Sequence, residues 1–215
     1  MLQILTIPVS PLEANCYVLY SPETKEGLIV DPGDEGAKII AAIQKHGLQP
    51  LGIVNTHGHV DHIGANREVK KAFEIPIAIH AADAPMLVDA EANLSAMIAE
   101  ETLSPPADRL LEEGDTFQVG DTEIVVMHTP GHSPGGICLF FENTLIAGDT
   151  LFQGSVGRTD LPGGDFVTLM ASIQNRLETL ADEVVVYPGH GLKTTMGEEK
   201  RTNPFLRRPT GECCK

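Results

Sequence analysis

Residues 54–62 read Val-Asn-Thr-His-Gly-His-Val-Asp-His, which packs His57, His59, Asp61 and His62 into six positions. Burying four such side chains without partners would cost free energy at each of them. Neutral imidazole nitrogens beside a carboxylate oxygen are the donor set of a borderline divalent ion, and a metal is the simplest partner that all four can share. The run follows Leu51-Gly52-Ile53-Val54, a short apolar stretch that reads as a strand, so the candidate ligands leave its end on a loop.

One loop cannot surround an ion, and three other places repeat the same context. Ile124-Val125-Val126-Met127 runs into His128-Thr129-Pro130-Gly131-His132, Thr144-Leu145-Ile146-Ala147 into Gly148-Asp149, and Val184-Val185-Val186-Tyr187 into Pro188-Gly189-His190. Each apolar run ends at Gly or Pro and then presents His132, Asp149 or His190. Loops that follow buried strands can converge on one rim of a sheet. A single His at a strand end is more often hydrogen-bonded within the protein than a ligand. The repetition is what makes these three candidates.

In this order the positions resemble the metallo-β-lactamase superfamily, whose pattern is HxHxDH, then His, then Asp, then His. The resemblance runs from Leu28-Ile29-Val30-Asp31-Pro32-Gly33 to Tyr187-Pro188-Gly189-His190. It implies an α/β chain folded as an αββα four-layer sandwich. It also implies one metal on His57, His59 and His132 and a second on Asp61, His62 and His190, with Asp149 bridging. The cofactor expected is therefore two divalent ions, zinc first, with iron or manganese compatible with the mixed nitrogen and oxygen set. Asp61 and Asp149 are the expected catalytic carboxylates. By the same resemblance Asp31 supports the histidine loop without binding metal, although an Asp before Pro-Gly also reads as a turn residue. His46 falls at the C-terminal turn of a helix, where a cation suits the macrodipole. His80 and His128 close apolar strands outside the motif and read as structural.

Gly148-Asp149-Thr150-Leu151-Phe152, continuing to Gly157-Arg158-Thr159-Asp160, is similar to glyoxalase II, in which a lysine of this loop holds a glutathione carboxylate. Arg158 is the expected substrate-binding residue on that basis; the other reading is a surface ion pair with Asp160 or Asp165. Leu161-Pro162-Gly163-Gly164-Asp165 and Thr202-Asn203-Pro204-Phe205-Leu206 resemble a short bacterial subgroup of glyoxalase II-like hydrolases. The resemblance implies hydrolysis of a thioester, S-lactoylglutathione or another hydroxyacylglutathione, by a metal-bridging hydroxide. Two departures stand out. The C-terminal helical domain that binds glutathione in the full-length enzymes is not expected here, and Gly191-Leu192 replaces their tyrosine. The alternative on the same fold is a mononuclear-iron persulfide dioxygenase. β-Lactamase activity is not expected, because those enzymes do not use an aspartate where Asp149 stands.

The length of 215 residues suits one domain, 1–215. A formal charge of -15 disfavours nucleic acid as a partner, since phosphate backbones need clustered Lys and Arg. No apolar stretch approaches a membrane span, and Met1–Pro8 lacks the features of a signal peptide. Cys16 and Cys138 fall in strands and Cys213 and Cys214 in the polar tail, without CxxC spacing, so a reduced, cytoplasmic setting is expected. The partner expected is a small-molecule thioester, and the chain a monomer or small homo-oligomer.

Hydrophobic periodicity predicts strands near 2–8, 15–20 and 27–30, a helix through 37–43, the strand before His57, and a helix over 63–73. Residues 81–105 read as a broken helical insert in which Met86, Leu94 and Met97 pack. Strands follow at 116–119, 122–128, 136–141 and 144–148, then a helix over 166–180 and a strand at 183–187.

Overall fold

The computed structural model describes residues 1–97 and 101–207. Its first sheet takes β1 (Gln3–Val9), β2 (Ala14–Tyr20), β3 (Glu26–Val30), β4 (Gln49–Asn55), β5 (Ile77–His80) and β6 (Arg109–Leu111) in sequence order. The first three pair antiparallel and the rest parallel. The second sheet contains β7 (Thr116–Val119), β8 (Thr122–His128), β9 (Ile137–Phe141) and β10 (Thr144–Gly148). A small ribbon, β11 (Leu151–Phe152) with β12 (Ser155–Val156), separates β10 from its parallel neighbour β13 (Val185–Pro188), and β14 (Thr194–Thr195) closes that edge.

Alternation along each strand sorts side chains into layers, because successive residues of a strand face opposite sides of its sheet. In β2, Tyr17 and Leu19 point between the sheets while Cys16 and Val18 point outward. In β5, Ala78 faces inward and Ile77 and Ile79 outward. Ile137 and Leu139 of β9 and Ile146 of β10 meet the first sheet, whereas Cys138, Leu145 and Ala147 face away. Both faces of each sheet are therefore apolar, and helices must cover the outer ones. α1 (Gly36–Lys45) supplies Ile39 and Ile43, and α3 (Asn66–Phe73) supplies Val69, to the first outer face. α4 (Phe166–Ser172) and the π-helical turn that continues it to Leu177 cover the second with Leu169, Ile173 and Leu177. α5 (Met196–Thr202) adds Met196. The result is the αββα sandwich.

Three expectations need correction. The helix over 63–73 is two pieces, α2 (Val60–Ile63) and α3, because the Ala65 amide leaves the helical ladder to bond Pro32 O at 2.9 Å. The described part of 81–105 holds only 3-10 turns, at Ala84–Val88 and Ser95–Met97. There the Asp89 and Asn93 side chains accept backbone amides of residues 91, 92 and 95, competing with a helical ladder. Residues 98–100 of that insert, and Cys213 and Cys214 of the tail, lie outside the described residues. Met86 packs as expected, but Met97 is 71% exposed. β6, the β11–β12 ribbon, β14 and α5 had no counterpart in the sequence reading. Among the described residues no helix is long and apolar enough to cross a membrane.

Candidate metal centre

Two antiparallel steps from β8 through β9 to β10 restore strand direction, and β13 runs parallel to β10. The C-terminal ends of β8, β10 and β13 therefore share one edge of the second sheet. That edge is stitched to the first sheet where β2 begins: Tyr17 OH donates to Pro188 O at 2.6 Å, and the Asn15 side chain donates to Pro188 O and Gly191 O. The loop after β4 lies in the same place, so all seven sequence-predicted ligands converge.

They form two groups whose donor atoms lie within 4.8 Å of one another, His57 with His59 and His132, and Asp61 with His62 and His190. Asp149 lies between them. Its Oδ1 is 3.5 Å from His62 Nε2, and its Oδ2 is 3.5 Å from His132 Nε2 and 3.7 Å from His190 Nε2. Asp61 Oδ2 is 3.1 Å from His190 Nε2. Gly189 permits this approach, since a Cβ there would stand 2.1 Å from Asp149 Oδ1.

Hydrogen bonds behind the rings fix which nitrogens carry protons. The Thr56 hydroxyl donates to Asp31 Oδ2 at 2.6 Å, so its oxygen is left to accept from His57 Nδ1 at 3.2 Å. His62 Nδ1 faces Asp31 Oδ2 at 3.0 Å, His132 Nδ1 faces Arg158 O at 2.7 Å, and His190 Nδ1 faces Leu12 O at 3.1 Å. Each of these partners only accepts, so each Nδ1 donates and each Nε2 is the atom turned into the site; on His62 that nitrogen carries a proton, which an entering metal would displace. His59 presents Nδ1 instead, 3.0 Å from His132 Nε2. His57 Nε2, His59 Nε2 and Asp149 Oδ1 are buried without a hydrogen-bond partner. Converging lone pairs and an orphaned carboxylate oxygen at the bottom of a cleft fit a cation.

The electrostatics agree. Burial, and then the neighbouring histidines, hold His57 well below its ordinary range and His59 down at about 3. Burial opposes charge on His62 as well, but Asp61, Asp149 and Asp31 outweigh it and push that ring up to about 10. Burial likewise opposes charge on Asp61, yet His62 and His190 hold its carboxyl far below the usual range.

Asp31 is a support for the loop: its two oxygens take the Thr56 amide at 2.7 Å, the Thr56 hydroxyl and His62. Sequence reasoning missed Thr56 and the two backbone carbonyls, which carry no side-chain signal. Arg158 lies on the lip of the cleft, 62% exposed, with its guanidinium held by Asp160 at 2.8 Å through two nitrogens. Asp165 instead caps α4 through the Thr168 amide. His80 and His128 stack on each other 4.0 Å apart, away from the motif residues, and His46 bonds back to Ala42 O at the end of α1. The cleft over the cluster, about 480 Å³, is walled by Leu12, Leu94, Met97, Phe152, Val156 and Leu161. Leu94 and Met97 are thus cleft residues, contrary to the packing role expected for them.

Fold and cluster define a metal-dependent hydrolase of the four-layer class. The metallo-β-lactamase superfamily model matches residues 9–190, and the chain belongs to that superfamily. It is 43% identical over 203 residues to "Probable metallo-hydrolase YqgX" of Bacillus subtilis (strain 168), covering 93% of this chain and 95% of that one. It is 35% identical over 213 residues to the hydroxyacylglutathione hydrolase GloC of Haemophilus influenzae (strain ATCC 51907 / DSM 11121 / KW20 / Rd), covering 95% and 98%. Among solved structures, BLEG-1 B3 metallo-β-lactamase superposes with a TM-score of 0.91 at 41% identity, covering 95% of this chain and 99% of that one. TTHA1623 in a di-iron-bound form gives 0.83 at 41% identity, covering 94% and 100%.

Proposed function

We propose that the protein is a binuclear thioesterase acting on S-lactoylglutathione or another hydroxyacylglutathione. The observation that carries this reading is the pair of three-residue groups with the Asp149 carboxylate between them. Two divalent ions, zinc first and iron compatible, supply when bound a water that ionises near neutral pH and a Lewis acid for the thioester carbonyl.

The chain's own residues do the rest. His57, His59 and His132 would hold one ion and Asp61, His62 and His190 the other, with Asp149 placed between the two groups; Asp61 and Asp149 are the carboxylates that would flank the reaction. The protons on Nδ1 of His57, His62, His132 and His190 are tied to Thr56, Asp31, Arg158 O and Leu12 O, so the rings cannot turn away. The apolar walls limit the water around the buried rings, which strengthens charge interactions there. A thiolate whose parent thiol has a pKa of about 8.5 leaves without a strong acid. In agreement, the cleft wall beyond the motif residues contains no Glu, His or Lys among the described residues.

The 35% identity to GloC supports the thioester, and the 41% identity to BLEG-1 makes β-lactam hydrolysis the second reading. The test is a panel of S-lactoylglutathione, an uncharged alkyl thioester, a β-lactam and a glutathione persulfide, each given to the metal-loaded protein. S-Lactoylglutathione should exceed the β-lactam and the persulfide in kcat/KM by orders of magnitude, and the uncharged thioester by a smaller factor. Ring opening of the β-lactam alone would support the second reading, and persulfide-dependent oxygen uptake without thioester cleavage would replace both.

A further inference from the structure

Asp83 is fully buried, carries no motif signal, and sits at the head of the 3-10 turn Ala84–Val88, on the first sheet's side of the sandwich. Its carboxylate accepts three hydrogen bonds from two different loops. Oδ2 takes the Gly58 amide at 3.1 Å and the Ser133 hydroxyl at 2.7 Å, and Oδ1 takes the Gly135 amide at 2.5 Å. Gly58 stands between His57 and His59, and Ser133 follows His132. The contact is close by construction, since a Cβ on Gly135 would meet the Asp83 carboxyl at 2.8 Å.

We infer that Asp83 is the positioning residue of the first metal group. His57 and His59 follow β4 of the first sheet and His132 follows β8 of the second, and the hydrogen bonds behind His57 and His132 act on each ring singly. Asp83 instead ties the backbone of one ligand loop to the other, so that the three nitrogens keep one mutual geometry. A carboxylate suits this task because all three of its partners donate, and no neutral side chain of that size accepts from two sides. None of Asp61, His62 and His190 donates a hydrogen bond to Asp83, so its direct hold is on the first group. The inference rests on the two-metal reading, though not on the substrate.

The test is titration of metal-free protein with zinc for the affinities, and in parallel with cobalt(II), whose paramagnetically shifted imidazole N–H resonances say which group fills. In Asp83→Asn one acceptor becomes a donor facing an amide. Zinc affinity at the first group should fall about ten- to hundred-fold, the usual effect of a lost outer partner, with the second group unchanged. Ser133→Ala removes one of the three bonds, should fold even if Asp83→Asn does not, and should weaken the same group by a smaller factor. Equal weakening of both groups in either variant, or no change in either group, would overturn the assignment. Uptake of a single equivalent by the unsubstituted protein would instead contradict the two-metal reading, and a shift in that equivalent would still read Asp83.

Discussion

Asp31 accepts from His62 Nδ1 at 3.0 Å while the same carboxylate takes the amide and hydroxyl of Thr56, whose oxygen in turn accepts from His57. One side chain thereby fixes one histidine of each metal group. Asp31→Asn keeps the size but removes an acceptor, and should weaken both metals by about ten- to hundred-fold. Zinc titration of the metal-free variant checks this; an effect on one ion alone would contradict the geometry.

Asp149 is 3.5 Å from a histidine of each group. Asp149→Ala should lower the metal content at both positions and abolish hydrolysis. Elemental analysis showing full metal together with full activity would rule out its place between the ions.

The two groups should respond differently to pH. In the metal-free chain His62 has a folded pKa of about 10, above its ordinary 6.5. Its stabilising contribution is therefore complete below about pH 6.5 and lost as pH rises through about 10. A metal entering the second group must expel that proton, so its affinity should fall by about tenfold per pH unit below 10. His57 and His59 are already neutral, so they add no such slope to the first group near neutral pH. Calorimetric titration at several pH values, in buffers of different ionisation enthalpy, measures the released proton; identical slopes for the two equivalents would contradict this.

Arg158 already holds Asp160, and both side chains are more than half exposed. A substrate carboxylate would exchange one exposed ion pair for another, and solvent screening leaves such pairs little net strength. Arg158→Ala should therefore raise KM for S-lactoylglutathione by about fivefold or less and leave kcat alone. An uncharged thioester should show no change. A fall in kcat with KM unchanged would assign Arg158 to the transition state instead.

The candidate site was legible because His57, His59, Asp61 and His62 crowd one short loop, and because His132, Asp149 and His190 each follow an apolar run broken by Gly or Pro, patterns that need no knowledge of packing. The sandwich was legible through the family resemblance that the motif order carries, and the structure supplies its physical reason: strands such as Ile77-Ala78-Ile79 are apolar on both faces, which demands helices outside. The parts that escaped depend on distant partners. Nothing near Ala65 announces that its amide will bond Pro32, and Asp83 sits in an unremarked Ala-Ala-Asp-Ala-Pro segment. Ala, Glu and Met favoured a helix over 81–105, but Asp89 and Asn93 bind the backbone there.

The most direct test of the central claim follows thioester hydrolysis during stepwise addition of zinc to the metal-free protein. Activity towards S-lactoylglutathione should stay low through the first equivalent, rise with the second and level off at two metals per chain. Maximal activity at one equivalent would contradict the binuclear account. So would a protein that holds one iron, consumes oxygen with a persulfide and leaves the thioester intact.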